Sequence, residues 1–247
     1  MKTKNTRDAD REFDKSYLRA RQHGYVVHRD YAAHFFRWGW VSRKFIDPTK
    51  NVLDIGCGPD AALVKVLSHK LANGIPKSYL GVDLNTLKDM PKRPWAEFKG
   101  DFNFPKQWKE LKSRGQFDVI TCLEVVEHMR PAAVRQLLIG AFQLLAPGGK
   151  MLLSTPVFDG HMAQNHINEM TIETLQKELY RTGWTVLKRY GTFMNDGARK
   201  KVATKEENAL CERLKEYYSM DVLACFLAPL YPDHSRNNLW VCVDDFI

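Results

Sequence analysis

The stretch Val52-Leu53-Asp54-Ile55-Gly56-Cys57-Gly58-Pro59-Asp60 decides how this chain is read. Residues 51–55 predict a buried strand. Residues 61–72 predict a helix, with Leu63, Val64, Leu67 and Leu71 at helical spacing. Between them lies a glycine-rich turn. Glycine permits positive φ and lets backbone approach a ligand closely. Such a turn at the carboxyl end of the first strand is where open α/β sheets bind ligands.

Working outward, strands are expected at 79–84, within 96–102, and at 117–125, 150–156, 184–193 and 237–245. Helices are expected at 30–46, opened by Asp30, and near 106–113. Others run from Pro131 to the PGG at 147–149, over 171–183 capped by Thr171, and over 206–220. Residues 157–170 and 195–207 read as loops. The alternation predicts an α/β fold with a mostly parallel sheet and helices on both faces. The expected division is an N-terminal helical cap, residues 1–46, and a ligand-binding domain, 47–247, with an elaborated last third.

Of 247 residues, 44% are apolar and 27% charged. These values exclude a disordered chain, a collagen-like chain and a disulfide mini-protein. No run reaches the roughly 18 apolar residues of a membrane span, so no membrane partner is expected. The start, MKTKNTRDADREFDK, lacks the apolar core of a secretory signal. Five scattered cysteines with no CxxC pair suggest reduced thiols and a cytoplasmic location. Of the net charge of +8, residues 1–50 carry +6, from twelve Lys/Arg against six Asp/Glu. That bias suits an anionic partner such as nucleic acid, or equally a solvated helix face.

The second strand ends in Asp83, where a carboxylate can accept hydrogen bonds from ribose hydroxyls. With the glycine turn, this points to a nucleoside-type cofactor. Gly56, Gly58 and Ala61 formally match the G-x-G-x-x-G/A of nicotinamide dehydrogenases. Against that reading, Asp83 lies 25 residues beyond Gly58, and Asp54 puts a charge into the first strand. A cationic ligand gives Asp54 a use, as the anchor of an ammonium group.

Residues 51–156 resemble the class I S-adenosylmethionine (SAM) dependent methyltransferases. VLDIGCG is similar to that family's first motif, YLGVDLN to its second, and GDF (100–102) to its adenine-contacting segment. FDVITCLEVVEHM and LLAPGGKMLLSTP are similar to its fourth- and fifth-strand motifs. The resemblance implies a seven-stranded sheet with an antiparallel last strand at 237–245. It also implies a SAM pocket lined by Asp54, Gly56, Cys57, Gly58, Asp83, Leu84, Asp101, Phe102 and Leu123. Asp54 and Gly56 would lie at the methionine end, Asp83 at the ribose and Asp101 at the adenine. Where the family often has a third glycine, this chain has Asp60, a residue type that tolerates the left-handed region.

A sulfonium methyl is already activated, so the protein must align the acceptor, remove its proton where needed and exclude water. Glu124, Glu127 and His128 are spaced i, i+3 and i+4 and would face one way on a helical turn. His161 and His166 follow the fifth strand on the same sheet edge. Glu124, Glu127, His128 and His166 can hold a divalent metal, Mg or Mn, that polarises an acceptor hydroxyl. Alternatively, a histidine serves as general base without metal, or the group only orients substrate. The Glu124-x-x-Glu127-His128 segment and the later His166 resemble metal-dependent small-RNA 2′-O-methyltransferases, in which two Glu and two His are metal ligands. E-x-x-E-H also resembles ubiquinone-pathway O-methyltransferases.

The chain lacks the [DNS]-P-P-[YFW] tetrapeptide of amino-methylating enzymes and a Pro-Cys nucleophile pair. Both absences favour a hydroxyl acceptor. The segment 25–45 (Tyr25, His28, Arg29, Tyr31, His34, Phe35, Arg37, Trp38, Trp40, Arg43, Lys44) would suit a nucleotide if its arginines and aromatics face the pocket. It is otherwise an amphipathic helix. Arg199, Lys200, Lys201 and Lys205 form a second basic cluster that can clamp phosphate. The expected activity is methyl transfer from SAM to a hydroxyl, on nucleic acid or a nucleotide-like acceptor. The alternatives are a small-molecule O- or N-methyltransferase and a catalytically inactive binding protein of the same fold.

Overall fold

A computed structural model describes residues 29–69 and 74–244. The expected positions Tyr25 and His28, the end of the first helix (70–72) and most of the 1–46 cap lie outside the described residues. So do the side chains of Tyr31 and Phe35.

The chain enters through α1 (Arg29–His34), a π-helical turn (Phe35–Trp40) and α2 (Val41–Phe45). The sheet then builds in the expected order. It comprises β1 (Asn51–Ile55), β2 (Ser78–Val82), β3 (Ala96–Lys99), β4 (Phe117–Leu123), β5 (Leu145–Pro156), β6 (Trp184–Phe193) and β7 (Asn237–Asp244). The helices are α3 (Ala62–Leu67), α4 (Phe104–Gln107), α5 (Pro131–Leu144), α6 (Ile172–Arg181), α7 (Asp196–Val202), α8 (Lys205–Leu214) and α9 (Met220–Leu227).

The strand order is β3-β2-β1-β4-β5-β7-β6. The pairs β1–β2, β1–β4, β2–β3 and β4–β5 are parallel, and β7 runs antiparallel to β5 from Met151↔Cys242 to Pro156↔Asn237. This is the Rossmann-like class I methyltransferase sheet that the motifs implied. Its central strands are near-continuous apolar runs because both faces are covered. Leu53, Ile120, Leu137, Leu138, Leu153 and Trp240 sit in one large core.

Contacts divide the chain into two units. One joins residues up to Phe36 with Tyr190–Arg236, and the other joins Arg37–Arg189 with Asn237 onward. The 29–36 part of the expected cap therefore falls in the first unit and 37–46 in the second. In the first unit, α1 and α9 meet through Ala32, Val222 and Cys225.

Three local expectations change. Residues 195–207 are not a loop. Asn195 accepts from the Ala198 amide and opens α7, and Thr204 with Glu207 forms a reciprocal capping box that opens α8. The expected helix 206–220 breaks between Leu214 and Met220, where Ser219 caps α9. Besides Gly56 and Gly58, the left-handed residue of the turn is Ala61 (φ 44°), not Asp60. No helix among the described residues is long and apolar enough to cross a membrane. All five cysteines are buried free thiols.

Candidate active site

The carboxyl ends of β1 and β2 are joined by a few hydrogen bonds. Gly56 and Gly58 have φ of 75° and 69°. A Cβ at Gly56 would strike the Val125 side chain, whereas one at Gly58 would face open space. Gly56 is thus required by both conformation and packing, and Gly58 by conformation alone. The Gly58 amide donates to Asp83 Oδ2 (2.9 Å), and the Asn85 amide donates to Asp83 Oδ1 (2.8 Å). The two features that pointed to a nucleoside are therefore one hydrogen-bonded unit, with the carboxylate of Asp83 fixed against the turn. Beside it Leu84 is 65% exposed, an apolar side chain at a strand end.

Asp101, also left-handed (φ 54°), is exposed and accepts from Thr86 Oγ1 (2.6 Å). Phe102, Leu123 and Cys57 are buried, and Phe102 packs in the core against Phe104. Of the three, Leu123 lies in the sheet, at the end of β4. Burial and the nearby carboxylates push the Cys57 thiol well up, in keeping with a packing role.

Asp54 is buried, and both its oxygens have protein donors: Tyr79 Oη at 2.6 Å and Thr121 Oγ1 at 2.7 Å. Burial raises its pKa to about 6 despite these donors. Neither partner carried a signal in the sequence.

At the ends of β4 and β5 the four expected acidic and histidine groups separate into two sets. Glu124 is left-handed (φ 59°). Its Oε1 accepts from Ser154 Oγ (2.8 Å) and pairs with Arg37 Nη1 (2.5 Å), and its Oε2 accepts from Asn237 Nδ2 (2.8 Å). Arg37 is only 4% exposed. The arginine expected to face a nucleotide is instead buried as the partner of Glu124. Likewise Arg199 is buried against Asp196 and Asn208, and Lys200 pairs with Asp196.

The second set is Glu127, His128 and His166, each offering a ligand atom within 4.8 Å of the others. Glu127 lies on a 3-10 turn (Val126–His128) and is 1% exposed. Burial, helped by the Glu124 charge, raises its pKa to about 8. His128 Nε2 is 3.9 Å from Glu127 Oε1, and the two imidazoles meet edge to face at 4.8 Å. The loop after β5 is tied to this turn, because the amides of Ile167 and Asn168 both donate to the Glu127 carbonyl (2.9 and 3.0 Å). His161 is exposed, with its amide bound to Asp159, and is not in the set.

The ring protons are fixed by partners the sequence did not reveal. His128 Nδ1 lies 3.0 Å from the Asn165 carbonyl, which can only accept, so Nδ1 carries the proton and Nε2 keeps a lone pair. His166 Nδ1 lies 2.6 Å from Glu169 Oε1. Imidazoles whose second nitrogen donates to a carbonyl or carboxylate are the usual surroundings of a metal ligand. The chemistry of this three-donor set therefore fits a divalent cation, with Glu124 outside it.

A doubly wound sheet with a glycine turn, an acidic second-strand end and a polar cluster after its fourth and fifth strands defines a nucleoside-cofactor protein of the class I methyltransferase type. The family described as a methyltransferase domain matches residues 28–189, and the chain belongs to it. It is 36% identical over 113 residues to the ubiquinone biosynthesis O-methyltransferase of Psychrobacter cryohalolentis, covering 43% of this chain and 40% of that protein. To the protein of the same name from Pseudomonas aeruginosa it is 31% identical over 122 residues, covering 48% and 50%. The match spans at most about half the length of these relatives. A SAM-dependent methyltransferase from Archaeoglobus fulgidus shares the fold, with a TM-score of 0.54 and 15% identity over 92% of this chain and 99% of that one.

Proposed function

We propose that this chain transfers the methyl group of SAM to a hydroxyl of a small organic acceptor. The cluster of Glu127, His128 and His166 carries the reading, because it supplies proton-accepting groups on the sheet edge that also bears the glycine turn. The relatives named as O-methyltransferases of ubiquinone biosynthesis support a hydroxyl acceptor. A nucleic-acid acceptor has less support, since Arg37 and Arg199 are engaged in internal ion pairs.

SAM supplies an activated methyl. Asp83 accepts from the ribose hydroxyls, the Gly56–Gly58 backbone lets the cofactor approach, Leu84 covers the adenine face and Asp54 balances the ammonium. Asp101 lies at the adenine edge. At the acceptor end, Glu127, His128 and His166 would hold a divalent cation, which would supply Lewis-acid polarisation of the hydroxyl. With no cation there, the Nε2 atoms of His128 and His166 can take the hydroxyl proton as the oxygen attacks in line.

The test is transfer of label from methyl-labelled SAM into an extract divided into nucleic-acid, protein and low-mass fractions, with and without EDTA. Label in the low-mass fraction is expected. Glu127→Gln should lower it about 10²–10⁴-fold, the range for loss of an acid–base group. Label confined to RNA or DNA would overturn the acceptor class. Transfer indifferent to EDTA would remove the cation and leave the histidines as bases.

A further inference from the structure

We infer that Glu169 is a positioning residue that fixes the tautomer and ring orientation of His166; its relevance to catalysis rests on the function proposed above. The loop between β5 and α6 is a closed structure rather than a loose connection. The Phe158 amide donates to the Met170 carbonyl (3.0 Å), and the His166 amide donates to the Ala163 carbonyl (3.0 Å). Inside this turn the Glu169 side chain has no exposure, and that of His166 has 15%. Glu169 Oε1 accepts from the Ala163 amide (3.1 Å) and lies 2.6 Å from His166 Nδ1. Oε1 thus accepts from the Ala163 amide and from the ring, which places the ring proton on Nδ1 and leaves Nε2 as its lone-pair atom.

His128 and His166 are thereby set in the same tautomer by different means. For His128 the acceptor is a backbone carbonyl, which no side-chain substitution removes. For His166 it is one buried side chain. The same oxygen closes the turn and orders the ring, so loop shape and ring chemistry are joined at a single atom. Glu169→Leu removes that atom from both partners, whereas Glu169→Gln keeps an oxygen in its place, able to accept from Ala163 and from Nδ1 alike. The constraint on the tautomer is therefore lost in the first variant and kept in the second.

The experiment is long-range proton–nitrogen NMR on protein carrying ¹⁵N-histidine, under alkaline conditions, with His166→Gln identifying the resonance. The wild-type ring is expected to carry a proton on Nδ1. In Glu169→Leu the His166 signals should shift towards the Nε2–H form while those of His128 stay in place. In the same variant kcat for methyl transfer should fall about 10–100-fold, the usual cost of losing a partner of this kind. KM for SAM should be unchanged, and Glu169→Gln should recover part of the loss.

A wild-type ring protonated on Nε2 alone overturns the inference, and this reading needs no variant to fold. A Glu169→Leu protein with wild-type tautomer and wild-type kcat overturns it as well. If no acceptor is methylated by any form, the proposed function fails, yet the tautomer still decides the role of Glu169.

Discussion

The two ends of this sheet edge are built differently. Around Asp83 and Asp101 the cofactor end is made by bonds between residues 2 to 25 apart: Gly58 binds Asp83, Asp83 binds Asn85, and Thr86 binds Asp101. Around Glu124 the acceptor end draws its partners from farther along the chain, up to 113 residues away. Glu124 and Glu127 are three residues apart, yet one pairs with Arg37 and accepts from Asn237, and the other faces His128 and His166. Spacing alone cannot tell such carboxylates apart; what faces each of them does.

The contrast breaks most sharply at Glu124. If it is the partner of a buried arginine, Glu124→Ala removes the carboxylate paired with Arg37 and should cost about 3 kcal/mol. For a chain of this size that is about 6–12 °C in Tm. Replacing both residues together, as Arg37→Met with Glu124→Gln, should recover most of it. A melting temperature unmoved by Glu124→Ala would return Glu124 to the reacting set.

At the cofactor end the expected effect is somewhat smaller. S-adenosylhomocysteine at about 100 times its Kd should stabilise the protein by about 2.7 kcal/mol. Asp83→Ala should abolish that shift, and NAD should produce none. An undiminished shift in the variant would refute the ribose contact.

The third effect concerns Asp54 and is read as a dependence on pH. Its folded pKa, about 6, exceeds the unfolded value of 3.8. It therefore withdraws stability from the unliganded protein as pH rises from about 4 through 6, and the melting temperature should fall there relative to Asp54→Asn. Affinity for S-adenosylhomocysteine should move the other way, weakening up to about tenfold for each pH unit below 6 as the counter-charge is lost. A flat affinity profile in the wild type would remove Asp54 from the ammonium.

The same contrast explains what could be read from the residues alone. The sheet and its strand positions follow from apolar runs and glycine turns, which are local signals, whereas the antiparallel β7 was implied by the family resemblance alone. The region 195–207 was misread because its polar, basic composition hid two capped helices, opened by Asn195 and Thr204. In the site, His128 with His166 and the Gly58–Asp83 unit were visible as motifs. Arg37, Asn237 and Tyr79 were not, because a buried ion pair or hydroxyl partner leaves no periodicity. Glu169 stood three residues from His166, but nothing in its spacing marked it as the ring's partner.

The place of β7 bears on how the chain is made. It slots between β5 and β6, although both are synthesised before it, and it brings Asn237 to Glu124. Until residues 237–244 leave the ribosome, β5 keeps an open edge and Glu124 lacks one of its donors. Open edges of this kind are templates for wrong pairing. Pairing of β7 is thus the step that closes the β5 edge and completes the bonds of Glu124.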